Sequence, residues 1–280
     1  MHAAFALVLA LVVGACASVF GPPWLAGLGA LTGALYFALA TRRFRVRRRL
    51  LSEPFPEGWR TLLERRVPFW RRLGPKDRRR FEDDVRIFLA EQRIVASHGA
   101  RLDDETRVLI AASAAMLGHG LPDWEWPTLR DIVVYPKAFD ESYAVEGRGR
   151  IAGMVHAQGP ILLSQRDLRH GFARPKDGHN VALHELAHVM DFEDGRADGV
   201  PADLEWISTA PWLDAVATRL RKIRKRRYPK VLRDYAGTNE AELFAVAVEA
   251  FFERPEELRA KDPELYEMLA SHLNQRPATR

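Results

Sequence analysis

The 280-residue chain contains a single cysteine, Cys16. One thiol excludes an intrachain disulfide and any cysteine-rich zinc site, so a metal in this chain would have to be held by histidine and carboxylate. Internal repeats and low-complexity tracts are also lacking. The formal charge of +5 is not spread as a basic stripe interleaved with aromatics, and the Lys and Arg residues are clumped in a few places. No nucleic-acid partner is expected from such a distribution. What is present is 47% hydrophobic and 28% charged residues, enough for one sizeable core plus an appendage.

The appendage is at the N-terminus. Residues 3–20 form an uncharged apolar run, Gly21-Pro22-Pro23 is a turn signal, and residues 24–40 form a second uncharged run. The second run ends against Arg42-Arg43-Phe44-Arg45-Val46-Arg47-Arg48-Arg49. Two runs of this length predict a transmembrane helical hairpin, and the positive-inside rule puts the arginines and everything after them in the cytoplasm. The expected location is therefore the inner (cytoplasmic) membrane with the catalytic domain in the cytoplasm, and a plain cytoplasmic location is the alternative. A cleaved signal peptide lacks support because Met1-His2-Ala3 supplies no charged leader. A lipoprotein box at Val13-Gly14-Ala15-Cys16 would leave the second apolar run unexplained.

The expected organisation is a hairpin with its Arg-rich flank over 1–50, a Pro-rich linker with short helices over 51–76, and a folded domain over 77–280. Within that domain, near-helical apolar spacing predicts helices over 77–97 and 103–117. Ile132-Val133-Val134-Tyr135 and the stretch 159–164 predict a small sheet. Further helices are expected over 181–192, 211–228, 240–253 and 263–274. The fold class is thus α+β and mainly helical.

The strongest chemical signal is His184-Glu185-Leu186-Ala187-His188. Histidines at i and i+4 share one helix face and can direct a ring nitrogen at one ion, while the intervening glutamate can move a proton. Val181, Ala182, Leu183, Leu186, Ala187 and Val189 surround the motif, as a buried helix requires and a solvated one does not. Catalytic zinc takes three protein ligands. A metzincin-type Gly and His are excluded, because Asp191 and Asp194 stand at those positions. Asp194 itself lacks a glycine to turn the chain sharply. Glu242, on the apolar helix after Asn239, is the better third ligand, and a helix-borne glutamate downstream of HExxH is the gluzincin arrangement. Glu249 shares a face with Glu242 and is either an acceptor for a ligand histidine or a salt-bridge partner. Asp191, one turn after His188, is a further acceptor candidate. Tyr235 can donate to an oxyanion, with a core or capping tyrosine as the other reading. His98, His119, His170 and His272 are expected in loops or at helix ends, solvated, and His156 and His179 are not expected as ligands. Residues 159–164 are expected to offer the edge for an extended peptide.

Four segments together resemble the Mlc titration factor A (MtfA) family of zinc peptidases. They are Gln158-Gly159-Pro160-Ile161-Leu162-Leu163-Ser164, the helix over 181–192, Asp194-Gly195-Arg196-Ala197-Asp198-Gly199, and Asp234-Tyr235-Ala236 followed by 241–252. The resemblance implies a gluzincin-like zincin domain, Zn2+ held by His184, His188 and Glu242, Glu185 as catalytic base and Tyr235 as a catalytic aid. It also implies aminopeptidase action on a peptide or protein substrate, and a transcriptional repressor as a possible partner, since one family member partners the glucose-responsive repressor Mlc. The apolar hairpin and the basic run 221–227 depart from the family pattern. A zinc-containing binding protein that sequesters a repressor is the alternative function.

Overall fold

A computed structural model describes residues 2–21, 27–121, 124–129, 131–138, 153–155, 160–192, 199 and 206–279. The chain divides into two compact units, Met1–Pro54 and Phe55–Arg280.

The first unit holds α1 (His2–Phe20), α2 (Gly27–Ala40) and α3 (Arg42–Ser52). A Cβ added to Gly29 would stand 2.2 Å from the Ala10 carbonyl, and one on Gly33 would stand 2.7 Å from that of Ala6. Only glycine permits so close a backbone approach between α1 and α2. A helical hairpin therefore forms, but the transmembrane expectation fails: among the described residues no helix is long and apolar enough to cross a membrane. The 14 residues of α2 rise about 21 Å, well short of a hydrocarbon core of about 30 Å. The predicted membrane contact and inner-membrane location fall with it.

The second unit runs α4 (Glu57–Arg66), α5 (Pro68–Arg72), α6 (Pro75–Glu91), β1 (Ile94–Ala96), α7 (Asp104–Gly118), β2 (Ile132–Tyr135), β3 (Gly153–Val155) and β4 (Ile161–Ser164). It continues with α8 (Gln165–Ala173), α9 (Val181–Asp191), α10 (Trp206–Arg224), a 3-10 turn (Asp234–Gly237), α11 (Glu240–Glu253), α12 (Pro255–Lys261) and α13 (Pro263–His272). Among the described residues the unit is mainly helical, with one four-stranded sheet in the order β1-β2-β4-β3. β1, β2 and β4 run parallel, with Ile94 beside Ile132 and Ile132 beside Ile161, and β3 runs antiparallel to β4.

Two sequence expectations change here. The helix expected over 77–97 stops at Glu91, because the β-branched pair Ile94-Val95 leaves the helix to pair with β2. β4, expected as the free edge, is an interior strand with every residue buried, and among the described residues the edges are β1 and β3. An interior strand loses both backbone faces to neighbours, so it cannot accept a peptide.

The core is built on α7 and α11. The alanine-rich α7 lies against α4, α6, α8 and α9 with eleven buried residues from Thr106 to Leu117. Small side chains make such a multiply covered helix possible. In α11 only Glu240 and Glu242 escape burial. α10 ends earlier than expected. Arg226 takes φ of 53°, and the amides of Arg226 and Arg227 return to the carbonyls of Ile223 and Lys222, both at 2.8 Å, a Schellman termination. His119 and His272, expected to be solvated, are buried. Their rings lie edge-on to Phe69 and to Trp212 respectively, because an imidazole beside aromatic rings packs as a small aromatic itself.

Candidate metal centre

Helix α9 starts where Asn180 accepts a hydrogen bond from the Leu183 amide through Oδ1, and every residue from Val181 to Asp191 is buried. α11 starts in the same way, with Asn239 Oδ1 accepting from the Glu242 amide at 2.8 Å. The two caps fix which turn of each helix faces the other, and the facing turns carry His184, His188 and Glu242. His184 Nε2 lies 3.0 Å from Glu242 Oε2 and 3.2 Å from His188 Nε2, and His188 Nε2 lies 3.5 Å from Glu242 Oε2. The potential ligand atoms of these three residues fall within 4.8 Å of one another. The sequence expectation grouped these three residues, and the structure brings them together.

A fourth side chain sets the chemistry of this cluster. Glu249 is fully buried on α11, and its Oε1 accepts from His184 Nδ1 at 2.5 Å and from the Arg233 guanidinium. Its Oε2 accepts from the Asn180 amide at 2.7 Å. Both alternatives for Glu249, acceptor for a histidine and salt-bridge partner, hold at once. With the Nδ1 proton given to Glu249, the Nε2 of His184 is a lone pair. That lone pair faces the Glu242 carboxylate and the second imidazole, so acceptors face acceptors unless positive charge sits among them.

The titration behaviour expresses the same demand. Although burial opposes its charge, hydrogen bonds to Glu242 and Glu249 raise His184 to about 10. Burial also works against Glu242, yet His184 and His188 hold its carboxyl well below the usual carboxylate range. Glu185 behaves oppositely: burial, aided by the charges of Glu242 and Glu249 and resisted by His184, raises it to about 8. The Tyr235 ring centroid is 6.0 Å from that of His184, on the 3-10 turn before α11. The ring is half exposed, and burial together with Glu242 pushes its hydroxyl up to about 12.

The remaining candidates separate. Asp191 is fully buried at the end of α9. Asp194 and His156 lie outside the described residues. His179 contributes its backbone amide to Asp177 and Glu253. Arg233 and Asn180 were not singled out in the sequence. Asn180 had a readable signal, an Asn directly before an apolar helical run. Arg233 had none, because its partner Glu249 is 16 residues away with the 3-10 turn between them.

Similarity to known proteins agrees with this geometry. The family described as glucose-regulated metallo-peptidase M90 matches residues 41–273. An uncharacterized protein of Synechocystis sp. is 31% identical over 237 residues, which is 80% of this chain and 86% of that protein. Mlc titration factor A of Escherichia fergusonii is 27% identical over 231 residues, and that of Klebsiella pneumoniae 26%, each covering 76% of this chain and 85% of the relative. The family implies a divalent metal, and the described residues offer it one His-His-Glu cluster, with both histidines buried and Glu242 partly so. With the match running through both helices of that cluster, the chain belongs to the glucose-regulated metallopeptidase family M90, the family of Mlc titration factor A.

Proposed function

We propose that the chain is a zinc-dependent peptidase of aminopeptidase type, with a gluzincin-like arrangement in which His184, His188 and Glu242 hold Zn2+ and Glu185 is the general base. The convergence of two imidazole nitrogens and one carboxylate oxygen is the observation that carries this reading. Ligand atoms about 2.0–2.1 Å from a tetrahedral zinc stand roughly 3.3 Å apart. The observed separations of 3.0, 3.2 and 3.5 Å fit that spacing. Two imidazole nitrogens and one carboxylate oxygen turned on a common point are also a donor set that a divalent cation satisfies. Zinc bound there supplies Lewis-acid polarisation of the scissile carbonyl and a lowered pKa for water.

The protein's own groups do the rest. Glu185, whose carboxyl burial pushes up, takes a proton as the general base and can pass it to the leaving amine. Tyr235, whose hydroxyl is raised to about 12, stays a neutral donor for a developing oxyanion. Glu249 holds the His184 ring in one tautomer and one orientation. The strand β3, which lies beside α9 and among the described residues pairs only with β4, is the edge on which an extended peptide can pair. Aminopeptidase specificity rests on the family resemblance. A second reading, a zinc-containing protein that binds a regulator such as Mlc, draws on the name Mlc titration factor A that relatives bear.

Glu185→Gln separates the two. Hydrolysis of aminoacyl reporters should fall by about 10²–10⁴-fold while zinc stoichiometry and any regulator binding persist. Hydrolysis at the wild-type rate in that variant would overturn the mechanism. Reporters with acetylated N-termini should be poor substrates, and equal turnover of blocked and free reporters would overturn the aminopeptidase assignment.

A further inference from the structure

Helices α1 and α2 invert the usual packing order. The face they turn on one another is small, with Gly29 and Gly33 of α2 against Ala6, Ala10 and Gly14 of α1. The large side chains are on the other side. At about 100° per residue, Leu31, Leu35 and Leu39 form a stripe on α2 turned away from the two glycines, and Val8, Leu11 and Val12 are turned away from Ala6 and Ala10 on α1. All six are more than half exposed.

A helix that is apolar all round is a buried helix, and residues 3–40 contain no Asp, Glu, Lys or Arg. What covers these two helices is therefore itself apolar, since a charge set against them would lose its water without gaining a partner. The second unit has no such patch: among its described residues only Leu213 and Tyr235 are exposed large apolar residues. A bilayer surface takes helices that carry a charged face, and α1 and α2 carry none. The surface that matches is the same hairpin on a second copy of the chain. The area fits as well. With Leu7, the six side chains expose roughly 700 Å², above the 300–600 Å² or so of the largest patch on a typical monomer and near the 800 Å² or so that each partner gives a standard interface.

We propose that two chains pair through their hairpins as an antiparallel four-helix bundle. A two-fold axis brings the same leucine and valine surface together from both chains. The direction follows from charge. The Thr41 amide returns to the Phe37 carbonyl and the Arg45 amide to the Thr41 carbonyl, both at 3.0 Å, so α3 leaves directly from the end of α2. It carries Arg42, Arg43, Arg45, Arg47, Arg48 and Arg49 and no buried residue. Parallel hairpins would set two such clusters side by side. Antiparallel hairpins hold them about 20 Å apart, beyond a Debye length of about 8 Å. The inference concerns assembly and stands apart from the peptidase reading.

Sedimentation velocity of the full chain in detergent-free buffer tests the pairing. At about 10 μM the chain should sediment as a dimer, at twice the 31.8 kDa of one chain. Leu35→Asp puts a charge in the middle of the stripe, on the side of α2 away from Gly29 and Gly33, and should give a monomer with the helical circular dichroism of the wild type. Leu31→Ala combined with Leu35→Ala keeps helix propensity high and should weaken the dimer at least about tenfold. With the arginines held apart, the dimer should form alike in about 0.05 and 0.5 M NaCl. A chain that is monomeric or of no fixed stoichiometry, a dimer indifferent to both variants, or a chain that floats with phosphatidylcholine vesicles in place of dimerising would each overturn the proposal. A dimer seen only at the higher salt would overturn the antiparallel order.

Discussion

Glu249 and Glu253 stand one helical turn apart on α11, and each gives one carboxylate oxygen to the same short turn. Glu249 takes the Asn180 amide, and Glu253 takes those of Gly178 and His179. Both carboxylates are withdrawn from solvent. They differ in the other oxygen. Oε1 of Glu249 meets a ring N–H of His184 and the Arg233 guanidinium, whereas Oε1 of Glu253 meets no donor among the described residues. One helix face thus carries an acceptor whose surroundings are complete and another whose surroundings are not. Burial alone does not decide what a carboxylate does: the complete set orients a candidate metal ligand, and the incomplete set stores a proton near neutral pH.

The largest effect should come from dismantling the complete side. Arg233→Met leaves Glu249 as a buried carboxylate without its guanidinium, and removing one partner of such a pair costs about 3–5 kcal/mol. Arg233 retains 28% side-chain exposure, so the lower end, about 3 kcal/mol, is expected in urea unfolding. Glu249→Gln should keep much of the fold but weaken zinc about 10–100-fold, read by chelator competition. If both variants bound zinc like the wild type, Glu249 would be a structural acid only, and the contrast with Glu253 would lose its meaning.

How much of this was legible in the chain depends on distance along it. The α9 motif was readable because helical periodicity is local, and the exact span of α11 followed from apolar spacing closed by Pro255. The grouping of Glu242 with the two histidines followed from asking what a third ligand requires. The Arg233 and Glu253 contacts were not readable, since each joins residues 16 to 75 positions apart without a local pattern. Strand order was equally hidden: β4 looked like an edge because an apolar run reads the same whether one neighbour covers it or two. The N-terminal hairpin was misjudged in the opposite way. Apolar composition counted 17 residues up to Ala40, while the helix that forms there has 14.

A smaller effect should come from the incomplete side, through pH. The Glu253 carboxyl titrates near 8 in the folded chain, against 4.5 as its ordinary value. Between those values the native state holds a proton that the unfolded chain has released, so stability falls as pH rises through the window and levels off above about 8. Glu253→Gln cannot release that proton. Compared with the wild type, it should lose less stability between pH 5 and 8, by an amount on the order of 1 kcal/mol or more. Parallel stability curves for the two proteins would show that Glu253 is already ionised and satisfied.

The smallest expected effect joins the two sides at Asn180, whose amide serves Glu249 and whose side chain caps α9. Asn180→Ala keeps the backbone amide and so leaves the Glu249 contact formed, but it removes the Oδ1 acceptor. Loss of an N-cap costs about 1 kcal/mol. If the cap were all that Asn180 provided, thermal stability would drop by that amount while zinc affinity stayed at the wild-type value. If the first turn of α9 must be closed for His184 to reach both Glu242 and Glu249, zinc affinity would fall along with stability. The geometry favours the second outcome. His184 is the first residue whose amide bonds back to the Asn180 carbonyl, at 3.0 Å, so fraying of that turn releases the ring from Glu242 and Glu249 together.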